Sequence, residues 1–233
     1  MNGYYYGYGS SLDLILLIIG FVITLYAQIK VKATYSRYLK VQNDSGLTGF
    51  DIARKILDKN GLSNIHIVEV RGELTDHYDP SSKVVRLSSK VFHTSTVAAI
   101  SVAAHECGHA IQDKENYSFM RIRAKLVPFV NIINKFGYIA TIIGLISGIF
   151  DVLICGIVMI IATLVFQLVT LPVEFDASNR AKKQIDKLKL ANNDEQEGVR
   201  KMLSAAAFTY VAGVLESIFQ LLRLILMYKD RDE

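Results

Sequence analysis

The stretch that decides the reading is VAAISVAAHECGHAIQ, residues 97–112. Its first half is small and apolar, its second half opens with His-Glu-Cys-Gly-His at 105–109, and Thr94 or Ser95 stands where a cap belongs. A helix from about Thr96 to Gln112 is therefore expected. On a helix, four residues carry a side chain one turn along and only about 40° round. His105 and His109 thus face the same way and can fill two corners of a tetrahedral zinc site, with Glu106 leaning over the corner kept for water. Zinc lowers the pKa of such a water to roughly 7 and polarises a carbonyl, and Glu106 is placed to take the proton and give it back. Gly108 leaves one helix face bare for close approach. Cys107 lies about 200° round from both histidines, which argues against a cysteine nucleophile activated by either imidazole. The plain alternative is a solvated helix with two chance histidines; the apolar lead-in VAAISVAA speaks against it.

Outward from this helix the chain turns strongly apolar. Of 233 residues, 51% are hydrophobic and 21% charged, with a net charge of +4. That balance excludes disorder and is too even to point to nucleic acid, which is not expected as a partner. The mean hydropathy of +0.29 comes from clustered apolar runs. Residues 12–29, LDLILLIIGFVITLYAQI, approach the ~20 residues a helix needs to cross hydrocarbon, and with nothing basic before them they read as an anchor rather than a cleaved signal. Residues 126–150, with Gly144 and Gly148 in GxxxG spacing, and residues 152–171 make a membrane hairpin around Asp151. Two cysteines, one in a span and one in the histidine motif, read as free thiols.

Basic clusters set the orientation. Lys30, Lys32, Arg37 and Lys40 follow the first span, Arg121, Arg123 and Lys125 precede the second, and Arg180, Lys182, Lys183, Lys187 and Lys189 follow the third. All fall on one side, the cytoplasmic one. The chain then divides into an anchor at 1–29, a cytoplasmic metalloprotease region at 30–125, the hairpin at 126–171, a cytoplasmic helical region at 172–203, and a last segment at 204–233. In that segment Thr209, Glu216, Gln220 and Arg223 form a polar stripe, read either as a fourth span facing the bundle or as an interfacial amphipathic helix. The tyrosines of the N-terminal YYYGYG suit an interfacial belt.

Between the first two spans, residues 48–59 read as a short helix with Gly61 as its stop. Residues 64–70 and 83–88 read as strands around a turn at Asp79–Ser82. A catalytic zinc needs a third protein ligand. Glu174 is the choice, just past Pro172, a helix-starting residue, and the small residues Ala177, Ser178 and Ala181 on its face would let that helix press on the motif helix. Asp176 competes but points about 200° away. Among weaker candidates, His77 or Tyr78 could donate to the oxyanion, unless they simply precede a turn capped by Asp79; Tyr210 could do so if the last helix lines the cleft. The strand carrying Val85, Arg86 and Leu87 could pair with an extended substrate or be an ordinary sheet strand. His66 and His93 read as ordinary strand and boundary residues.

HECGHAIQ, preceded by DHYDP and RLSS and followed after the hairpin by LPVEFDASNRA, resembles the YugP-type neutral zinc metallopeptidases of bacterial membranes over nearly the whole chain. The architecture is also similar, more distantly, to HtpX and CAAX-processing membrane proteases, whose third zinc ligand is a Glu in an E-F-x-A-D segment. Glu174 matches that Glu, while Ser178 stands where the segment has Asp, leaving Asp176 or Asn179 as substitutes. The resemblance implies one Zn2+ per chain and a peptide or membrane-protein substrate at a multi-pass bacterial cell membrane. The expected fold is a mainly α integral membrane protein with three to four transmembrane helices and a cytoplasmic α+β zincin-like catalytic domain of a small sheet plus the HExxH helix. The expected function is zinc-dependent endopeptidase action near the cytoplasmic membrane surface, the alternative being a non-catalytic zinc-containing scaffold or chaperone. No oligomeric state is implied.

Overall fold

The computed structural model describes residues 11–147 and 150–229. The N-terminal tyrosines and Gly148 of the expected GxxxG pair lie outside them. Helix α1 (Ser11–Tyr38) has Asp13 in its first turn and Arg37 in its last, matching the helix dipole at both ends. Helix α2 (Gly49–Lys59) starts at a capping box: Thr48 Oγ1 accepts from Asp51 N, and the Asp51 carboxylate accepts from Thr48 N. Strands β1 (His66–Val70), β2 (His77–Asp79) and β3 (Val84–Ser88) form one sheet in the order β1-β3-β2. β1 runs parallel and β2 antiparallel to β3.

A short helix α3 (Ser89–His93) leads to α4 (Val97–Lys114), the motif helix. Its cap is Thr96, whose hydroxyl accepts from Ala99 N at 3.2 Å, one or two residues beyond the expected Ser95 or Thr94. The apolar lead-in is buried as its composition demands, with Ala98, Ile100 and Ala103 against Ile52, Ile56 and Leu87. Three long helices complete the chain: α5 (Ser118–Ser147), α6 (Phe150–Leu188) and α7 (Asn193–Lys229).

Two expectations are corrected here. Pro172 starts no helix; it sits inside α6, which runs on through it. The ring removes one backbone N–H and so one intrahelical bond, in a helix that packs against both α4 and α7. The boundaries placed at 171/172 and 203/204 accordingly fall within continuous helices, so α6 and α7 each carry an apolar length and a polar end in one rod. The second correction concerns Val85, Arg86 and Leu87. β3 is the central strand, hydrogen-bonded to β1 on one side and β2 on the other, so its backbone has no free edge for an added strand. Val85 and Leu87 point into the core and Arg86 pairs with Asp79.

Among the described residues three helices are long and apolar enough to cross a membrane: Leu12–Tyr38, Gly156–Leu188 and Asn193–Leu226. The expected second span, 126–150, lies in α5 as far as Ser147; residues 148 and 149 are outside the described residues, and Phe150 begins α6. The polar stripe of α7 faces α1. Glu216 Cγ lies 3.6 Å from where a Cβ on Gly20 would be, Gln220 Nε2 donates to Glu216 Oε1 at 2.8 Å, and Arg223 Nε stands 3.2 Å from Asp13 Oδ1. Leu14, Phe21 and Ile29 of α1 remain exposed, as lipid-facing residues would be.

The contact that sets the site is between α4 and α6. A Cβ on Gly108 would lie 2.5 Å from the Ala177 carbonyl oxygen, so only glycine permits this approach. Ala177, Ser178 and Ala181 are buried on the facing side of α6. Gly108→Ala is expected to lower the unfolding free energy by about 1–3 kcal/mol through overpacking, read as the denaturation midpoint in detergent. An unchanged midpoint would show that the two helices have slack.

Candidate metal centre

His105 and His109 project from α4 towards Glu174 on α6, and the donor atoms of the three lie within 4.8 Å of one another. Glu174 Oε2 is 3.2 Å from His105 Nε2 and 3.5 Å from His109 Nε2. Ligands at zinc's usual distances of about 2.0–2.2 Å stand roughly 3.3–3.5 Å apart along the edges of a tetrahedron, so these spacings fit one zinc ion. Three helical positions thus converge although the carboxylate lies 65 positions beyond the second histidine in the chain.

The outer nitrogen of each imidazole is engaged as well. His105 Nδ1 meets Ser178 Oγ at 3.2 Å, and His109 Nδ1 meets Gln112 Oε1 at 3.0 Å. Gln112 is fully buried, and its amide donates to Val173 O and to Asp176 Oδ2 at 2.8 and 2.9 Å. An acceptor at Nδ1 leaves Nε2 free to ligate, the arrangement that orients metal-binding histidines. Asp176 is therefore turned away from the three donors. It works one step out, holding Gln112 while Arg180 holds it in turn. Ser178, standing where the resembling segment has Asp, bonds His105 itself.

Glu106 is buried next to the pair, and its Oε2 accepts from the backbone N–H of Tyr78 at 2.9 Å. Burial pushes its carboxyl up to about 7; the charges of Glu174 and Asp76 add to the rise, while His105 and the Tyr78 N–H oppose it. Such a group is a base suited to neutral pH.

The remaining candidates separate. His77 is exposed and its Nδ1 lies 2.8 Å from Thr75 O, because strand alternation sends Tyr78 inward and its neighbour out. The structure does not bring His77 to the metal donors. The Tyr78 hydroxyl donates to Asp113 Oδ2 at 2.7 Å and is committed there. Asp79 caps its turn, accepting from Ser81 N and Ser82 N, and the Arg86 guanidinium holds its carboxyl well below the usual carboxylate range. Tyr210 of α7 stands near Glu174. His66 and His93 are exposed strand and helix-end residues. Cys107 is buried against Ala53 O, and burial pushes its thiol up, which removes it as a nucleophile.

Two contributors were invisible in the sequence. Gln112 read only as the end of a helix. Arg123 read as one member of a basic cluster, yet its Nη1 donates to Glu174 Oε1 at 3.0 Å.

A family model described as "Putative neutral zinc metallopeptidase" matches residues 13–229. The chain belongs to this family. It is also 46% identical over 212 residues to the "Putative membrane protease YugP" of Bacillus subtilis (strain 168), a match covering 91% of this chain and 94% of that protein. No solved structure matches the chain significantly. In a zinc peptidase family, the His105–His109–Glu174 group could hold one metal ion.

The Glu106 environment predicts how metal-stripped protein responds to pH. An ordinary glutamate loses its proton near 4.5, this one near 7, so between those values the folded state binds more protons than the unfolded one. Stability is then fully present at the acid end and declines as pH rises towards 7, by about 3 kcal/mol. Denaturation midpoints of stripped protein across this window should fall, and Glu106→Gln should flatten the fall. A decline retained in that variant would assign it to other groups.

Proposed function

We propose that the protein is a zinc-dependent endopeptidase of the bacterial cell membrane that hydrolyses peptide bonds near the cytoplasmic surface, with Glu106 as general base. The observation that carries this reading is the donor set: two imidazoles and one carboxylate, with a buried glutamate beside them. Among the described residues that group offers three donors, the number a catalytic zinc takes when one corner stays open, whereas a structural zinc is closed by four. When bound, zinc supplies a Lewis acid that acidifies the attacking water and polarises the scissile carbonyl. Glu106 takes the water's proton on a carboxylate oxygen and returns it to the leaving amine as the carbon–nitrogen bond breaks. The Tyr78 N–H holds that carboxylate in place.

The substrate edge is taken by β2 in place of β3. β2 is an outer strand of the sheet, and its Tyr78 backbone faces Glu106, so an extended segment laid along β2 passes the base. Tyr210, beside Glu174, is the oxyanion donor that replaces His77 in this reading. The three basic clusters support an orientation with residues 30–125 and the C-terminal end of α6 on the cytoplasmic side of a multi-pass chain.

Purified protein should hold about one zinc per chain. Glu106→Gln is expected to keep the metal and lose hydrolysis by about 10²–10⁴-fold; full activity in that variant would remove the base assignment. Glu174→Ala should lose zinc where Asp176→Ala keeps most of it, measured by metal analysis. Cysteines introduced at Ser45 and at Asp151 should react with an impermeant label from opposite faces of the membrane, and labelling of both from one face would overturn the orientation.

A further inference from the structure

The two oxygens of Glu174 have different neighbours. Oε2 faces both imidazole Nε2 atoms, at 3.2 and 3.5 Å, while Oε1 accepts from Arg123 Nη1 at 3.0 Å. The carboxylate side chain is 3% exposed and that of Arg123 is 32% exposed, so the guanidinium closes the carboxylate off from the α5 side. The metal donors come from α4 and α6 alone; Arg123 brings a third helix to them.

A carboxylate with both oxygens free ligates a cation through one or both of them. Two-oxygen ligation would occupy the corner that hydrolysis needs open. A guanidinium bonded to Oε1 opposes this in two ways: its charge-assisted bond occupies one of that oxygen's two lone pairs, and its positive charge repels a cation approaching from that side. Lysine would supply the charge without the planar fork.

Resting on the zinc reading above, we infer that Arg123 is a positioning residue that confines Glu174 to one-oxygen ligation through Oε2, keeping the fourth corner of the zinc available. It acts on the ligand, and its signature is in the metal's affinity and coordination rather than in turnover alone.

The test uses full-length protein in detergent, comparing wild type with Arg123→Gln, Arg123→Lys and Arg121→Gln. Arg121 is a neighbouring basic residue bonded to Asn116 and serves as the control. Zinc affinity is read by competition with a chromophoric chelator, and coordination number by zinc X-ray absorption. Arg123→Gln should add an oxygen to the coordination shell and, with the repelling charge gone, bind zinc at least as tightly as wild type. Arg123→Lys, which keeps the charge, should stay nearer the wild-type shell, and Arg121→Gln should match wild type. An unchanged absorption spectrum in Arg123→Gln would overturn the inference, even if hydrolysis were lost. Should the glutamine variant fail to fold, Arg123→Met carries the same comparison: a spectrum identical to wild type would then overturn it. Wild type holding no zinc would instead strike the metal reading itself, so the two failures are distinguishable.

Discussion

The contact between Gly108 of α4 and the Ala177 carbonyl of α6 governs the site. With a separation that leaves no room for a Cβ, the two backbones come near enough for a glutamate one turn before Ala177 to reach histidines on either side of Gly108. A larger residue at any of Gly108, Ala177 or Ala181 would push the rods apart and draw Glu174 away from the two histidines. Packing of small residues is therefore the precondition for the chemistry, not a feature added to it.

Around that contact the polar groups form a connected set. Each imidazole has a partner on its far nitrogen, Ser178 for one and Gln112 for the other, and Gln112 is tied to Asp176 and so to Arg180. Glu174 is shared between the histidines and Arg123, and Glu106 is tied to the β2 backbone. Burying two carboxylates so close together is costly unless cationic or hydrogen-bonding partners surround them. Here those partners come from α4, α5, α6 and β2, so the site's electrostatics depend on the whole assembly of helices and sheet.

The long helices join this chemistry to the apolar part of the chain. α6 carries an apolar stretch and the glutamate ligand in one continuous rod, and α7 presents Tyr210 at the site while its farther polar residues meet α1. The candidate site lies beside these apolar lengths, with Glu174 within Gly156–Leu188 and Tyr210 within Asn193–Leu226. That accords with the membrane protease to which the chain is similar.

Much of this was legible from local pattern. Histidines four apart on a helix, an apolar lead-in, a short helix over 48–59, strands over 64–70 and 83–88 and the apolar runs follow from periodicity and cap chemistry, because those signals depend on neighbours in sequence, whereas β2 (His77–Asp79) read only as the approach to a turn. Glu174 could be chosen from its place after a hairpin and from the small residues beyond it. Sheet order was not available: whether β3 lies in the middle or at an edge is decided by which strands the chain brings beside it, and this put Val85–Leu87 in the central strand and β2 at the outside. Nor could the sequence separate Arg123 from the other basic residues near it, or give Gln112 its partner. Their roles come from three helices meeting at one point, and a side chain's partner across such a junction is set by backbone separation and direction, quantities that exist only once the helices have packed.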